Sequence, residues 1–256
     1  MDFHRLTALI TLSLFIVNDA NTKPIDKSVS YSGYINEQSI APIIHAIQEG
    51  ANELIVDSIG GEEDAAIKLA HIIHANNVNI TVDGVCMSAC AFYLFPASQT
   101  RTIKPNSLVT FHNNSYSAVH LLNVNTLFKD LKLDIKTTSE DAKALYNKLG
   151  ISAEVFNDAQ KVLGAVCFEA DSFNAEENIG VLMGYEVWVP TKQYMMKNGY
   201  DFQGYWPNSP EEIATMMKNK FGSNTYIFYF GGEKALIRQY QLNGTLPLCK
   251  NTKERP

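Results

Sequence analysis

Several features are scarce in this 256-residue chain, and each scarcity closes off a class of function. Basic charge is one. The 21 Lys and Arg stand against 27 Asp and Glu, a formal net charge of −6, so no basic surface is on offer to a nucleic acid. Long apolar runs are another: "LTALITLSLFIV" (6–17) is short for a bilayer span, and no later segment reaches the roughly 18 residues that a transmembrane helix needs. Cysteine is limited to Cys86, Cys90, Cys167 and Cys249, with no Cys-x-x-Cys pair and no His/Cys spacing of the zinc type. Neither a metal nor a cofactor is therefore expected. Internal repeats and low-complexity linkers are also missing, while 46% apolar residues are enough to bury a core.

What is present begins at the N-terminus. "MDFHR" supplies a cation, the apolar run follows, and "NDANTKP" restores polarity. This is the three-part pattern of a secretory signal over residues 1–20, or of an uncleaved N-terminal anchor. The expected location is exported: periplasmic or secreted, with anchoring through the N-terminus as the variant. In an oxidising compartment an even cysteine count reads as disulfides. Three pairings are open. Cys86–Cys90 with Cys167–Cys249 is preferred, because loop closure is cheapest for near neighbours.

Beyond the signal, two periodicities alternate. "SVSYSGYI" (28–35) reads as a strand, and "NEQSIAPIIHAIQEG" (36–50) as a helix with Ile40, Ile43, Ile44 and Ile47 on one side and Gly50 as its C-cap. "ELIVDS" (53–58) reads as a buried strand, "IGG" as a turn, and residues 62–77 as a helix with acids in its first turn, where the dipole favours them. "VNITVD" (78–83) is a third strand, the segment around Ser88 leads into a short helix, and "SLVTFH" (107–112) is a fourth strand ending at His112. Such a series predicts an α/β fold of repeated βαβ units around a mainly parallel sheet. Helical patterning over 118–149 predicts a helical arm. The stretch 174–200 predicts strands leading to a helix from Thr191, and "NTYIFYF" (224–230) is β-like. The expected organisation is a main domain over 28–200 with a C-terminal extension, 201–256, packed on it.

In parallel sheets chemistry collects beyond the carboxyl ends of the strands. Gly60–Gly61, Ser88 and His112 all fall there. A serine needs a base within hydrogen-bond reach, that base needs an orienting group, and the developing oxyanion needs aimed donors. Ser88 at a helix start, His112 at a strand end, and the N–H groups of Gly61 and Ala89 supply the nucleophile, the base and two donors. His45, His71 and His74 lie on the two helices and read as packing or surface residues.

The order "YSGYI", "VDSIGG", "DGVCMSACAF", "VTFHN" over residues 28–115 resembles the Clp-type serine peptidases of the crotonase-like superfamily, in particular an exported branch with Cys-x-Ser-Ala-Cys at the nucleophile. Ile59 stands where that family usually has proline. The resemblance implies a ClpP/crotonase-like fold and a Ser–His–acid hydrolase acting on peptides or unfolded polypeptides. It places the acid at Glu186, in "YEVWVPTKQYMMKNGY", with Asp171, Glu169 and Asp158 as alternatives. Some relatives use a lysine instead, for which Lys129 and Lys132 are positioned, although His112 makes one unnecessary. The resemblance further implies a homo-oligomer. No ATP-dependent chaperone partner is expected outside the cell. A silent binding module of the same fold and an acyl-CoA enzyme of the superfamily are the competing readings, the latter disfavoured by export.

Overall fold

The computed structural model describes residues 27–112, 114–117, 135–160, 186–222, 226 and 228–232, and the backbone alone of 161–163, 165–169 and 179–183. The signal segment, residues 118–134 (with Lys129 and Lys132), Asp171 and Cys249 lie outside the described residues.

Six strands form one sheet: β1 (Ser28–Ile35), β2 (Glu53–Gly61), β3 (Asn79–Met87), β4 (Arg101–Ile103), β5 (Leu108–Thr110) and β9 (Gln203–Gly204). The order is β1-β2-β3-β4-β9, with β5 also on β3, and the pairings are parallel. The fold is therefore α/β around a mainly parallel sheet. β6 (Ala165–Glu169) and β7 (Ile179–Met183) form a separate antiparallel pair, while β8 (Val187–Val189) pairs in parallel with β10 (Phe228–Phe230).

Local chemistry sets the helices. α1 (Glu37–Gln48) opens on a capping box: Asn36 Oδ1 accepts the Ser39 N–H at 2.8 Å, and Ser39 Oγ accepts the Asn36 N–H at 2.9 Å. It buries Ile40, Ile43 and Ile47, and its C-cap is Glu49, one residue before the expected Gly50. α2 (Glu63–Ala75) buries Ala66, Leu69, Ala70 and Ile73. A π-helical turn, Cys90–Leu94, continues into one α-turn, Phe95–Ala97. α3 (Ile135–Leu149) lies along α2, with Thr138 Oγ1 donating to Asp64 Oδ1 at 2.6 Å. α4 (Glu154–Leu163), α5 (Lys192–Lys197, capped by Thr191) and α6 (Pro210–Phe221, capped by Ser209) complete the chain order.

Two elements differ from the sequence expectation. "IGG" is not a turn: β2 runs on to Gly61, because β1 pairing resumes as Tyr34↔Gly60 and Ile35↔Gly61 after a bulge. Ser58 fills that bulge, donating from Oγ to Gly33 O at 2.6 Å and accepting the Gly60 N–H at 3.1 Å. The expected fourth strand is found as β5, but a further strand that the sequence did not suggest, β4, precedes it. β4 takes the first half of the free edge of β3, beginning at Ile80↔Arg101, and β5 takes the second, beginning at Val85↔Leu108.

The core divides between the two faces of the sheet. One face packs α1, α2, the π-turn, α3 and α4 around Ile35, Leu54, Val56, Phe92, Phe111, Tyr146 and Phe156. The other is smaller: Val85, Met87, Leu108, Val187 and Val189 meet Ile213, Met216 and Met217 of α6. The segment from 201 onward thus contributes an edge strand to the main sheet and a helix to its second face.

Candidate active site

Ser88 stands at the carboxyl end of β3, between the last strand residue and the π-turn. Its φ is 55°, in the left-handed region that a non-glycine residue occupies at a cost of about 1–3 kcal/mol. Backbone hydrogen bonds hold it on both sides: its N–H donates to Thr110 O at 3.1 Å, and its carbonyl accepts the Phe92 N–H at 2.9 Å. Met87, Ala89 and Cys90 around it are buried, whereas Ser88 itself is only partly so. The Cys86–Cys90 disulfide brackets it, as expected from the sequence, with the two Cα atoms 5.2 Å apart. Cys167 lies on β6 opposite Val181.

The glycine pair lies against this turn. A Cβ on Gly60 would fall 2.5 Å from Ser88 Cβ and 2.6 Å from Met87 O, and the Gly60 φ of 92° is itself left-handed. A Cβ on Gly61 would fall 2.1 Å from Ile35 O. Only bare backbone fits between β1 and the serine turn. Glu62 N–H donates to Ile35 O at 2.8 Å, which holds the chain just after Gly61 against β1. The Ala89 nitrogen is 3.0 Å from the Cβ that Gly60 lacks. It belongs to the first turn of the π-helical segment, where N–H groups lack acceptors within the helix.

His112 arrives by strand pairing. β3 and β5 run in register to Met87↔Thr110, and Phe111 and the half-buried His112 follow directly. Phe111 in turn makes a two-way antiparallel bridge to Trp188: Phe111 N–H to Trp188 O at 2.8 Å, and Trp188 N–H to Phe111 O at 2.7 Å. This bridge is an isolated one, joining the segment in which His112 follows Phe111 to the segment in which Glu186 precedes Trp188 by two residues. Glu186 is exposed. Of the alternative acids, Asp158 on α4 accepts the Tyr194 hydroxyl at 2.6 Å. Burial, and next the Asp158 carboxylate, push the Tyr194 pKa far above its ordinary value. Glu169 is on β6, with its backbone alone described. His45 is exposed, and His71 and His74 are half-buried on α2.

Sequence reasoning missed one residue that joins these parts. Glu63, credited above only with favouring the helix dipole, accepts the buried Tyr93 hydroxyl at 2.5 Å through Oε2 and the Ser115 N–H at 2.9 Å through Oε1. It thereby ties the start of α2, just after Gly61, to the π-turn beyond Ser88 and to the chain just after His112. An acid two residues past a Gly-Gly pair was the available signal, but its partners lie 30 and 52 residues away. A hollow among His74, Asn77, Gln99 and Arg101 lies at the amino ends of β3 and β4, the end of the sheet remote from Ser88.

No family model and no curated protein matches this chain. Among solved structures, a point mutant of ClpP1 from Listeria monocytogenes is similar over 53% of this chain and 80% of that one, with 18% identity and a TM-score of 0.38.

Proposed function

We propose that this chain is an exported serine peptidase. Ser88 Oγ attacks the scissile carbonyl, and His112 takes its proton and returns it to the leaving amine. Glu186 orients the imidazole. The N–H groups of Gly61 and Ala89 hold the oxyanion, each contributing about 3 kcal/mol to lowering the barrier. Water then releases the acyl group by the same route in reverse. The substrate class is an extended peptide or an unfolded polypeptide, and the working form is a homo-oligomer.

One observation carries the reading: the left-handed Ser88 turn packed on side-chain-free backbone at Gly60. Strain of this kind persists where the surroundings impose it, and it clusters at sites where an atom must be presented. The π-turn that follows is a rare conformation with the same association. The β3–β5 pairing that ends at Met87↔Thr110, two residues before His112, supports this reading, as does the bridge between Phe111 and Trp188, neighbours in sequence of His112 and Glu186. The exposure of Glu186 favours a second reading, a silent binding module, because a solvated carboxylate orients an imidazole weakly.

Labelling with a fluorophosphonate probe separates the two. The oxidised protein should form one adduct, on the tryptic or chymotryptic peptide containing Ser88, and Ser88→Ala should form none. A folded, oxidised protein that takes no label would sink the peptidase reading and leave the binding module.

A further inference from the structure

Cys86 and Cys90 flank the proposed nucleophile at two residues on either side, and both are fully buried. Each is anchored in a different body. Cys86 is locked in the ladder, opposite Ser58 of β2 and Val109 of β5. Cys90 begins the π-turn, and its carbonyl accepts the Phe95 N–H five residues on. Four residue steps continuing as strand would carry the chain about 13 Å. The bridge instead holds the two Cα atoms at 5.2 Å, so the chain must double back between them. It does so at Ser88, in a conformation that a serine does not choose unaided.

We propose that the Cys86–Cys90 disulfide is the positioning element that makes Ser88 reactive, so that the nucleophile is poised only after oxidation. This rests on the hydrolase reading of Ser88. Its consequence is a safeguard: the reduced chain, as it exists before export, lacks the constraint that holds the serine turn, and the hydrolase is switched on by the same oxidation that completes the fold. Reduction is balanced simply. The Sγ–Sγ bond takes up two electrons and two protons from a dithiol such as dithiothreitol, giving two thiols and the cyclic disulfide of the reagent. Oxidised glutathione reverses it, leaving two molecules of glutathione. Because both sulfurs are buried, the folded protein should resist reduction until the turn opens.

The test compares fluorophosphonate labelling of the oxidised full chain, the variant Cys86→Ala/Cys90→Ala, and the wild-type chain refolded in dithiothreitol, with thiols counted by mass and folding followed by circular dichroism. The variant should fold but label about a hundredfold more slowly, the effect of a reacting atom misplaced by about 1 Å, with the maximal rate falling rather than half-saturation rising. Chain refolded in dithiothreitol should be equally slow, and oxidised glutathione should restore labelling in step with loss of the Cys86 and Cys90 thiols, followed on their own peptide and apart from those of Cys167 and Cys249. A variant or a reduced chain that labels at the wild-type rate would overturn the positioning role and leave the hydrolase reading standing. If Cys86→Ala/Cys90→Ala does not fold, the reduced and reoxidised wild type decides by the same criterion. No label on oxidised wild type would overturn the hydrolase reading, and this inference with it.

Discussion

The two faces of the central sheet are closed by different means. The first is covered by α1 and α2, which come from the chain immediately between the strands they cover, and by the π-turn that follows β3. The second is covered by α6, whose Lys220 meets Asp57 of β2 across 163 residues. Ser88 sits where the two meet. Cys86, Ala89 and Cys90 belong to the first cluster, Val85 and Met87 to the second. The Ser88 turn is therefore the seam between a locally built half of the molecule and one closed from a distance.

The largest predicted effect tests whether these halves are separable. Phe92 is buried on the first face, stacked on Phe156 at 4.9 Å and edge-on to Phe111 at 5.0 Å. Phe92→Ala should cost about 3–5 kcal/mol and lower protection throughout the sheet. Met217→Ala, on the second face, should cost about 2–4 kcal/mol. Its hydrogen-exchange losses should concentrate in Val187–Val189 and Pro210–Phe221, with α1 and α2 keeping theirs. Equal losses on both faces after Met217→Ala would show one cooperative unit and break the comparison.

The same division explains what could be read in advance. Tyr31 to Thr81 alternates strand and helix with clear apolar periods, so β1, α1, β2 and α2 were visible in the sequence, as was the Cys86–Cys90 bridge around Ser88. Where the reading erred, the cause was non-local. "IGG" looks like a turn because its strand pairing depends on a bulge filled by Ser58, whose acceptor is 25 residues away. β4 is three residues with no apolar run, held because the Arg101 guanidinium reaches the carbonyls of Phe95, Pro96 and Asp201. Glu63 was seen as a helix-start acid, with nothing local to mark its ties to Tyr93 and Ser115. β9 is only two residues long and is fixed by its pairing with β4, while α6 is fixed by docking on Met87 and Leu108.

Alkaline pH offers a sharper and smaller contrast. On the first face Tyr93 and Tyr146 have pKa values raised well above 10.0 by burial, with further contributions from Glu63 at Tyr93 and from Tyr200 at Tyr146. A folded-state pKa above the unfolded one gives stability that is intact below the unfolded value and lost as pH rises beyond it. Stability should hold to about pH 10 and then fall by about 1.4 kcal/mol per pH unit for each such tyrosine. Tyr146→Phe should cost about 1–3 kcal/mol at neutral pH, because its hydroxyl donates to Phe92 O at 2.6 Å and also meets the Tyr200 hydroxyl. It should also make the alkaline slope shallower. Denaturant midpoints across the alkaline range read both effects. An unchanged slope would mean that the first face opens before its tyrosines ionise.

The smallest effect concerns the ion pair between Lys220 and Asp57, which spans both regions. Lys220 Nζ lies 2.7 Å from Asp57 Oδ1 and 2.5 Å from Oδ2, with the two side chains 34% and 28% exposed. At that exposure solvent screens most of the attraction, so Lys220→Met should cost no more than about 1 kcal/mol, and less in high salt. Asp57 has a second duty, because Oδ1 also accepts the Val85 N–H at 3.0 Å, at the point where β3 begins its approach to the serine. Asp57→Ala strands that N–H as well as the lysine, and should cost about 1–2 kcal/mol more than Lys220→Met. Urea titrations at low and high salt separate the contributions. If the two variants are equally stable, the Val85 bond contributes nothing, and the pair is only a surface clasp on α6. If Asp57→Ala is worse and insensitive to salt, the carboxylate is part of the sheet, and the distant helix has been fastened to a group that the strands already required.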